Sequence, residues 1–187
     1  MLAAHRRLMA EQSDSLLILV PRHPERFEAV HVLCQREGFA TVRRSSAPSV
    51  GEGDQVLLGD TMGELLFLYA LADVAFVGGS LVPSGGHNLL EPAALGLPVL
   101  SGTHLFNFLD IAAQLRAAGV LVEVADAQAL HEAVRQLQTD TVRRQQMGQA
   151  GLDVLKANQG ALEGLLGGLE RLLRAGTGAT ESFREPK

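Results

Sequence analysis

The residues Val74-Ala75-Phe76-Val77-Gly78-Gly79-Ser80-Leu81-Val82-Pro83-Ser84-Gly85-Gly86-His87-Asn88-Leu89-Leu90-Glu91-Pro92 decide the fold. A short apolar run stops at two glycines, a loop with a second glycine pair follows, and a helical pattern begins near Leu89. Apolar residues without polar alternation, bounded by turn residues, are the mark of a strand buried on both faces of a parallel sheet. A glycine-rich loop leading from such a strand into a helix start exposes backbone N–H groups, and the positive end of the helix dipole attracts an anion there.

Working outward, comparable apolar runs occupy residues 16–20, 39–42 and 55–58 upstream and 99–100 and 120–124 downstream. Helical patterns at 24–37, 64–71, 89–95 and 109–118 alternate with them. The first should bury Phe27, Val30, Leu33 and Cys34 on one side, with Pro24 in its first turn and Gly38 just past its end. Alternation of this kind predicts βαβ units and an α/β, Rossmann-like, doubly wound parallel sheet. Beyond residue 127 the pattern is helical only, over 129–138, 141–155 and 161–174, and residues 43–54 read as a loop. Residues 1–175 therefore form one domain, and 176–187 a loose tail. Residues 3–11 read as helix with no strand before them, so the sheet is expected to lack its first strand.

With 187 residues, 47% of them hydrophobic and 20% charged, the chain has enough apolar surface for one core. A net charge of -5 with scattered arginines argues against a nucleic-acid partner. Cys34 stands alone, so no intrachain disulfide can form. No apolar run reaches the roughly 20 residues of a membrane-spanning helix, so no membrane contact by this segment is expected. There is no G-x-x-x-x-G-K-S/T loop. Gly51-x-Gly53 precedes a strand instead of following one, and His131-Glu132 lacks the second histidine of a zinc-protease helix. Ser84 does not complete G-x-S-x-G. No metal and no cofactor are expected.

Open parallel sheets bind ligands beyond the C-terminal ends of their strands, which singles out four stretches. In Pro21-Arg22-His23-Pro24, Arg22 either offers planar donors to a phosphate or is an ordinary surface arginine. In Gly59-Asp60-Thr61-Met62-Gly63-Glu64, Asp60 or Thr61 either caps the next helix or stands beside backbone amides that receive a flat base. In Gly86-His87-Asn88-Leu89-Leu90-Glu91, Asn88 reads as an N-cap, and Glu91 either completes a capping box or accepts hydrogen bonds from ribose hydroxyls. Phe106-Asn107-Phe108 either shapes a cleft wall or packs the next helix down.

These stretches, in this order and with Val77-Gly78-Gly79-Ser80-Leu81 and Pro98-Val99-Leu100, resemble bacterial 3-deoxy-manno-octulosonic acid (Kdo) transferase over about residues 3–175. The resemblance implies the C-terminal nucleotide-sugar-binding domain of a GT-B glycosyltransferase, with CMP-Kdo as donor and a lipid A precursor as acceptor. It implies CMP contacts from Pro21, Arg22, Met62, Gly63, Glu64, Asn88, Leu89, Leu90 and Glu91, with Gly79, Ser80 and His87 as further donor-site residues. It places the general base and acceptor site in an N-terminal domain outside this sequence, so no catalytic residue is expected here and the segment alone should be inactive. The full-length enzyme is expected on the cytoplasmic side of the inner membrane, and an exposed sheet edge is expected to favour a homodimer. The competing readings are a UDP-sugar GT-B transferase or epimerase domain and a non-catalytic interaction module.

Overall fold

The computed structural model describes residues 1–46 and 49–158. α1 (Leu2–Glu11) leads into β1 (Leu17–Leu19), and a 3-10 turn (Pro24–Arg26) leads into α2 (Phe27–Arg36). β2 (Thr41–Arg43), β3 (Val56–Leu58), α3 (Leu65–Ala70), β4 (Ala75–Val77) and α4 (Leu90–Ala93) follow. β5 (Val99–Ser101), α5 (Leu109–Ala117), β6 (Leu121–Glu123) and α6 (Ala127–Thr139) complete the alternation, and a further helix, α7, runs over 141–158. The helix expected at 161–174 and the tail at 176–187 lie outside the described residues.

Every strand lies on or beside its expected apolar run, and every pairing is parallel. The pairing itself is less simple than one doubly wound sheet. The strands form two three-stranded sheets, ordered β1-β3-β2 and β4-β5-β6. In each, the middle strand is buried at all three positions, Val56–Leu58 in one and Val99–Ser101 in the other. β1 is only half-buried along its length despite its Leu-Ile-Leu sequence. β1 and β4 are the edges that face one another, and residues 16–20 and 74–79 border one open groove of about 1470 Å³.

That groove accounts for two departures. α2 buries Cys34 fully and packs Val30 against the cluster of Cys34, Phe39 and Val56, but leaves Leu33 45% exposed at the border of the groove. Burial pushes the Cys34 thiol up, as for a core cysteine. The segment expected to be a loop from residue 43 begins later, since Arg43 still pairs opposite Leu58 and is held by Asp60. α4 is one turn, where a longer helix over 89–95 is expected, and turns carry the chain on to Leu97.

The second sheet is packed on both sides. Val77, Leu89, Val99, Leu115 and Val120 form one cluster, and Leu100, Val124, Leu130 and Leu137 another. A smaller cluster of Cys34, Phe39 and Val56 supports the first sheet. Burying each such leucine stabilises the fold by about 1.5–3 kcal/mol. α1 joins the two regions, with Ala4 in the second-sheet core and Leu2 and Met9 against the first.

Candidate functional site

The turns after β1, β3 and β4 meet at one mouth of the groove. Pro21, Arg22, Met62, Gly63, Gly79, His87, Asn88 and Glu91 all border it, as a ligand site outside the C-terminal strand ends requires. Arg22 Nη1 donates to His87 Nδ1 at 2.8 Å, joining the two sheets' loops across 65 residues of sequence. Burial first, then the positive Arg22 and the neighbouring His23, hold His87 below the usual imidazole range. The ring is therefore neutral at pH 7, accepts at Nδ1 and carries its proton on Nε2.

Gly79 makes that ring position possible. Its φ is +71°, and a Cβ there would lie 3.0 Å from His87 Nε2 and 3.2 Å from Cε1. Only glycine combines that backbone with that approach. The loop is closed by Gly86 N–H donating to Gly79 O at 2.8 Å.

Asn88 and Glu91 do not form the expected capping box, since the N-cap of α4 is Leu89 and no side chain caps it. Asn88 Oδ1 accepts from Leu90 N–H at 3.0 Å, two residues on, which is an Asx-turn in place of the expected N3 cap. Its amide donates to Glu91 Oε1 at 3.2 Å, presenting the carboxylate at the groove. Tyr69 also borders the mouth, and burial together with the Glu91 charge pushes its phenol up to about 12. Sequence reasoning passed over this tyrosine because nothing local links it to Glu91. Being the single tyrosine, five residues beyond the Glu64 turn, is the only signal it gives.

Glu64 turns its carboxylate to the turn itself. It accepts from Thr61 Oγ1 at 2.5 Å and from Arg44 Nη2 at 2.9 Å, and it does not border the groove. It braces Met62 and Gly63, which do: Met62 is 66% exposed, and Gly63 adopts a φ of +82° that leaves its backbone open. Asp60 caps nothing. It accepts from Arg43 Nε at 2.7 Å, Ser45 N–H at 2.9 Å and Ser45 Oγ at 2.6 Å. Burial opposes its charge, but these partners hold its carboxyl below the ordinary range.

Two expected contacts are inward-facing. Leu89 is fully buried in the core, so only its backbone could meet a ligand. Ser80 is fully buried: its Oγ donates to Val77 O at 2.8 Å and accepts from Gly102 N–H at 2.7 Å. Leu90 is half-buried and its N–H is taken by Asn88. The helix-dipole reading also weakens, because α4 has only four residues and a single turn sums few peptide dipoles. Arg22 brings positive charge to the mouth. Of the Phe-x-Phe pair, Phe106 is 55% exposed, while Phe108 packs on the core and borders the groove. Among the described residues no group of three His, Cys, Asp or Glu could hold a metal ion, and no helix is long and apolar enough to cross a membrane.

Comparison with known families places this geometry. The model of the family "Glycosyl transferases group 1" matches residues 32–154, which hold the turns after β3 and β4. The chain belongs to this glycosyltransferase family. It is 49% identical over 166 residues to the 3-deoxy-D-manno-octulosonic acid transferase of Haemophilus influenzae, covering 88% of this chain and 39% of that one. It is 43% identical over 170 residues to the transferase of the same name from Bordetella pertussis, covering 90% of this chain and 39% of the relative. The chain thus spans about two fifths of the length of these relatives. Among solved structures, it is similar to the C-terminal CMP-Kdo binding domain of WaaA from Acinetobacter baumannii. The TM-score is 0.79 at 37% identity, over 82% of this chain and 80% of that domain. For this glycosyltransferase domain the fold is that of the C-terminal domain of a GT-B enzyme.

Proposed function

We propose that this chain is the donor-binding part of a Kdo transferase, holding CMP-Kdo for transfer to a lipid A precursor bound by another part of the full-length enzyme. The observation that carries the reading is the convergence of Arg22, His87, Asn88 and Glu91 on one mouth. Arg22 pairs with the single phosphate of CMP, its charge-assisted hydrogen bonds growing in strength as the phosphate leaves. Glu91, steadied by Asn88, accepts from the ribose hydroxyls. The exposed backbone of Met62 and Gly63 receives the base. In the transfer, the acceptor oxygen bonds to the anomeric carbon as the bond from that carbon to the phosphate oxygen breaks, and a base outside this chain takes the acceptor's proton. The full-length enzyme works at the cytoplasmic face of the inner membrane.

Calorimetric titration with CMP tests the reading, with UMP as the competing nucleotide and the Asn88→Ala, Glu91→Ala double variant as control. CMP should bind more tightly than UMP, and the double variant should lose at least tenfold. Preference for UMP would make this a UDP-sugar domain, and a folded chain that binds neither would be an interaction module.

A further inference from the structure

We infer that Tyr69 and Glu91 together form a receptor for one hydroxyl group of the nucleotide's ribose, the Tyr69 phenol donating a hydrogen bond to the hydroxyl oxygen and the Glu91 carboxylate accepting one from the hydroxyl. The inference rests on the reading of the mouth as a nucleotide site and adds a residue which that reading does not use.

The pair comes together from opposite half-sheets. α3 follows β3 of one sheet and α4 follows β4 of the other, and the two helices pack on each other. Leu68 is buried, with its Cδ1 over Gly59 and beside Val20. The next residue of a helix points about 100° round the axis, so with Leu68 turned inward Tyr69 is left half-buried at the groove, which it borders together with Gly79, Asn88 and Glu91. Glu91 acts on the phenol across space, through its charge and not through a hydrogen bond. A carboxylate exerts such an influence from within about 4–6 Å. That is farther than one O–H···O bond reaches, and close to the ~4.5–5 Å spanned by two that share a central oxygen.

The chemistry of the gap selects what fills it. Burial and then the Glu91 charge push the phenol up to about 12, so at neutral pH it keeps its proton and donates. The Glu91 carboxylate can only accept, and Asn88 steadies it by donating from Nδ2 to Oε1 at 3.2 Å. A group seated between a fixed donor and a fixed acceptor must itself accept and donate. A sugar hydroxyl does both, a phosphate oxygen or a carbonyl can only accept, and the hydrogen of a deoxy position does neither. The two residues therefore read the presence of a hydroxyl, and Tyr69 makes the site selective for a ribonucleotide over its deoxy counterpart.

Calorimetric titration of the parent chain and of Tyr69→Phe with CMP, 2′-deoxy-CMP and 3′-deoxy-CMP tests the pair. Tyr69→Phe keeps the ring and removes one oxygen, and it should bind CMP about three- to tenfold more weakly. The parent should bind one of the two deoxy nucleotides at least about tenfold more weakly than CMP, because that analogue leaves phenol and carboxylate both unpaired. For that analogue Tyr69→Phe and the parent should agree within about twofold, which is the signature of a direct coupling in a double-mutant cycle, and its identity assigns the bridged hydroxyl as 2′ or 3′. Uridine nucleotides carry the same ribose, so a chain that prefers UMP is tested with the corresponding UMP set. Full discrimination retained in Tyr69→Phe would overturn this inference alone and leave Glu91 on the ribose. A loss in Tyr69→Phe that is equal for all three ligands would reduce Tyr69 to a structural part and overturn it as well. Equal affinity of the parent for all three would take Glu91 off the ribose and overturn both readings.

Discussion

Gly79→Ala is the sharpest probe of the site, because two separable penalties meet at one Cβ. The left-handed backbone, φ +71°, costs an alanine about 1–2 kcal/mol. The methyl would also lie 3.0–3.3 Å from three atoms of the His87 ring, inside the ~3.5–4.0 Å optimum for nonbonded carbon. The ring must yield by a few tenths of an ångström, stretching its 2.8 Å bond from Arg22 to the long, weak end of the hydrogen-bond range. Gly119→Ala isolates the first penalty: φ there is +74°, and no atom lies within 4 Å of the added Cβ. Thermal unfolding of both variants should fall by about 2–8 °C, since 1 kcal/mol shifts a domain of this size by roughly 2–4 °C. Calorimetry should then separate them. Releasing Arg22 removes a hydrogen bond worth about 1.5–3 kcal/mol, so Gly79→Ala should bind CMP at least about tenfold more weakly, while Gly119→Ala should bind as the parent does. Equal CMP affinity in the two variants would refute the role of the Gly79–His87–Arg22 contact, and an unchanged melting temperature in both would refute the backbone argument.

Asp60→Ala should destabilise the fold by about 2–4 kcal/mol, read by urea unfolding, because it strands Arg43 and Ser45; a loss under ~0.5 kcal/mol would mean the cluster is decorative. Acidification should weaken the fold through two histidines. His5 is held below 6.5 chiefly by burial, and His87 by burial and then its cationic neighbours. The unfolded chain therefore takes up protons near pH 6.5 before the folded one does, so stability is fully present above that pH and falls as pH drops below it. Melting temperatures at about pH 7.5 and 5.5 check this, and the fall should shrink in His87→Gln; an equal fall would leave His5 as the sole cause.

Much of the architecture is legible in the sequence because it is local. Short apolar runs lie on or beside the six described strands, and the loops at their C-terminal ends single out Arg22, Met62, Gly63, Asn88 and Glu91, which the structure brings to one groove. What escapes is what depends on distant partners. Asp60 stands where a helix cap belongs, but Arg43, seventeen residues earlier, offers it a stronger bond than the helix start. Glu64 looks like a ligand residue, yet Arg44 and Thr61 take both of its oxygens. Ser80 and Leu89 flank the glycine loop in sequence and are carried inward by the close packing that loop permits. Where the break between the half-sheets falls is not legible in the runs, since strand order is a property of pairing and not of the runs themselves.

That break has a mechanical consequence. Arg22, Met62 and Gly63 ride on one half-sheet, while Gly79, His87, Asn88 and Glu91 ride on the other, each half over its own cluster of buried side chains. A nucleotide gripped by both sets, as proposed above, would lie across the seam like a rivet. Its binding would then do more than raise the melting point: two plates that can give way one after the other would fail together, and the unfolding transition would sharpen as the seam is pinned.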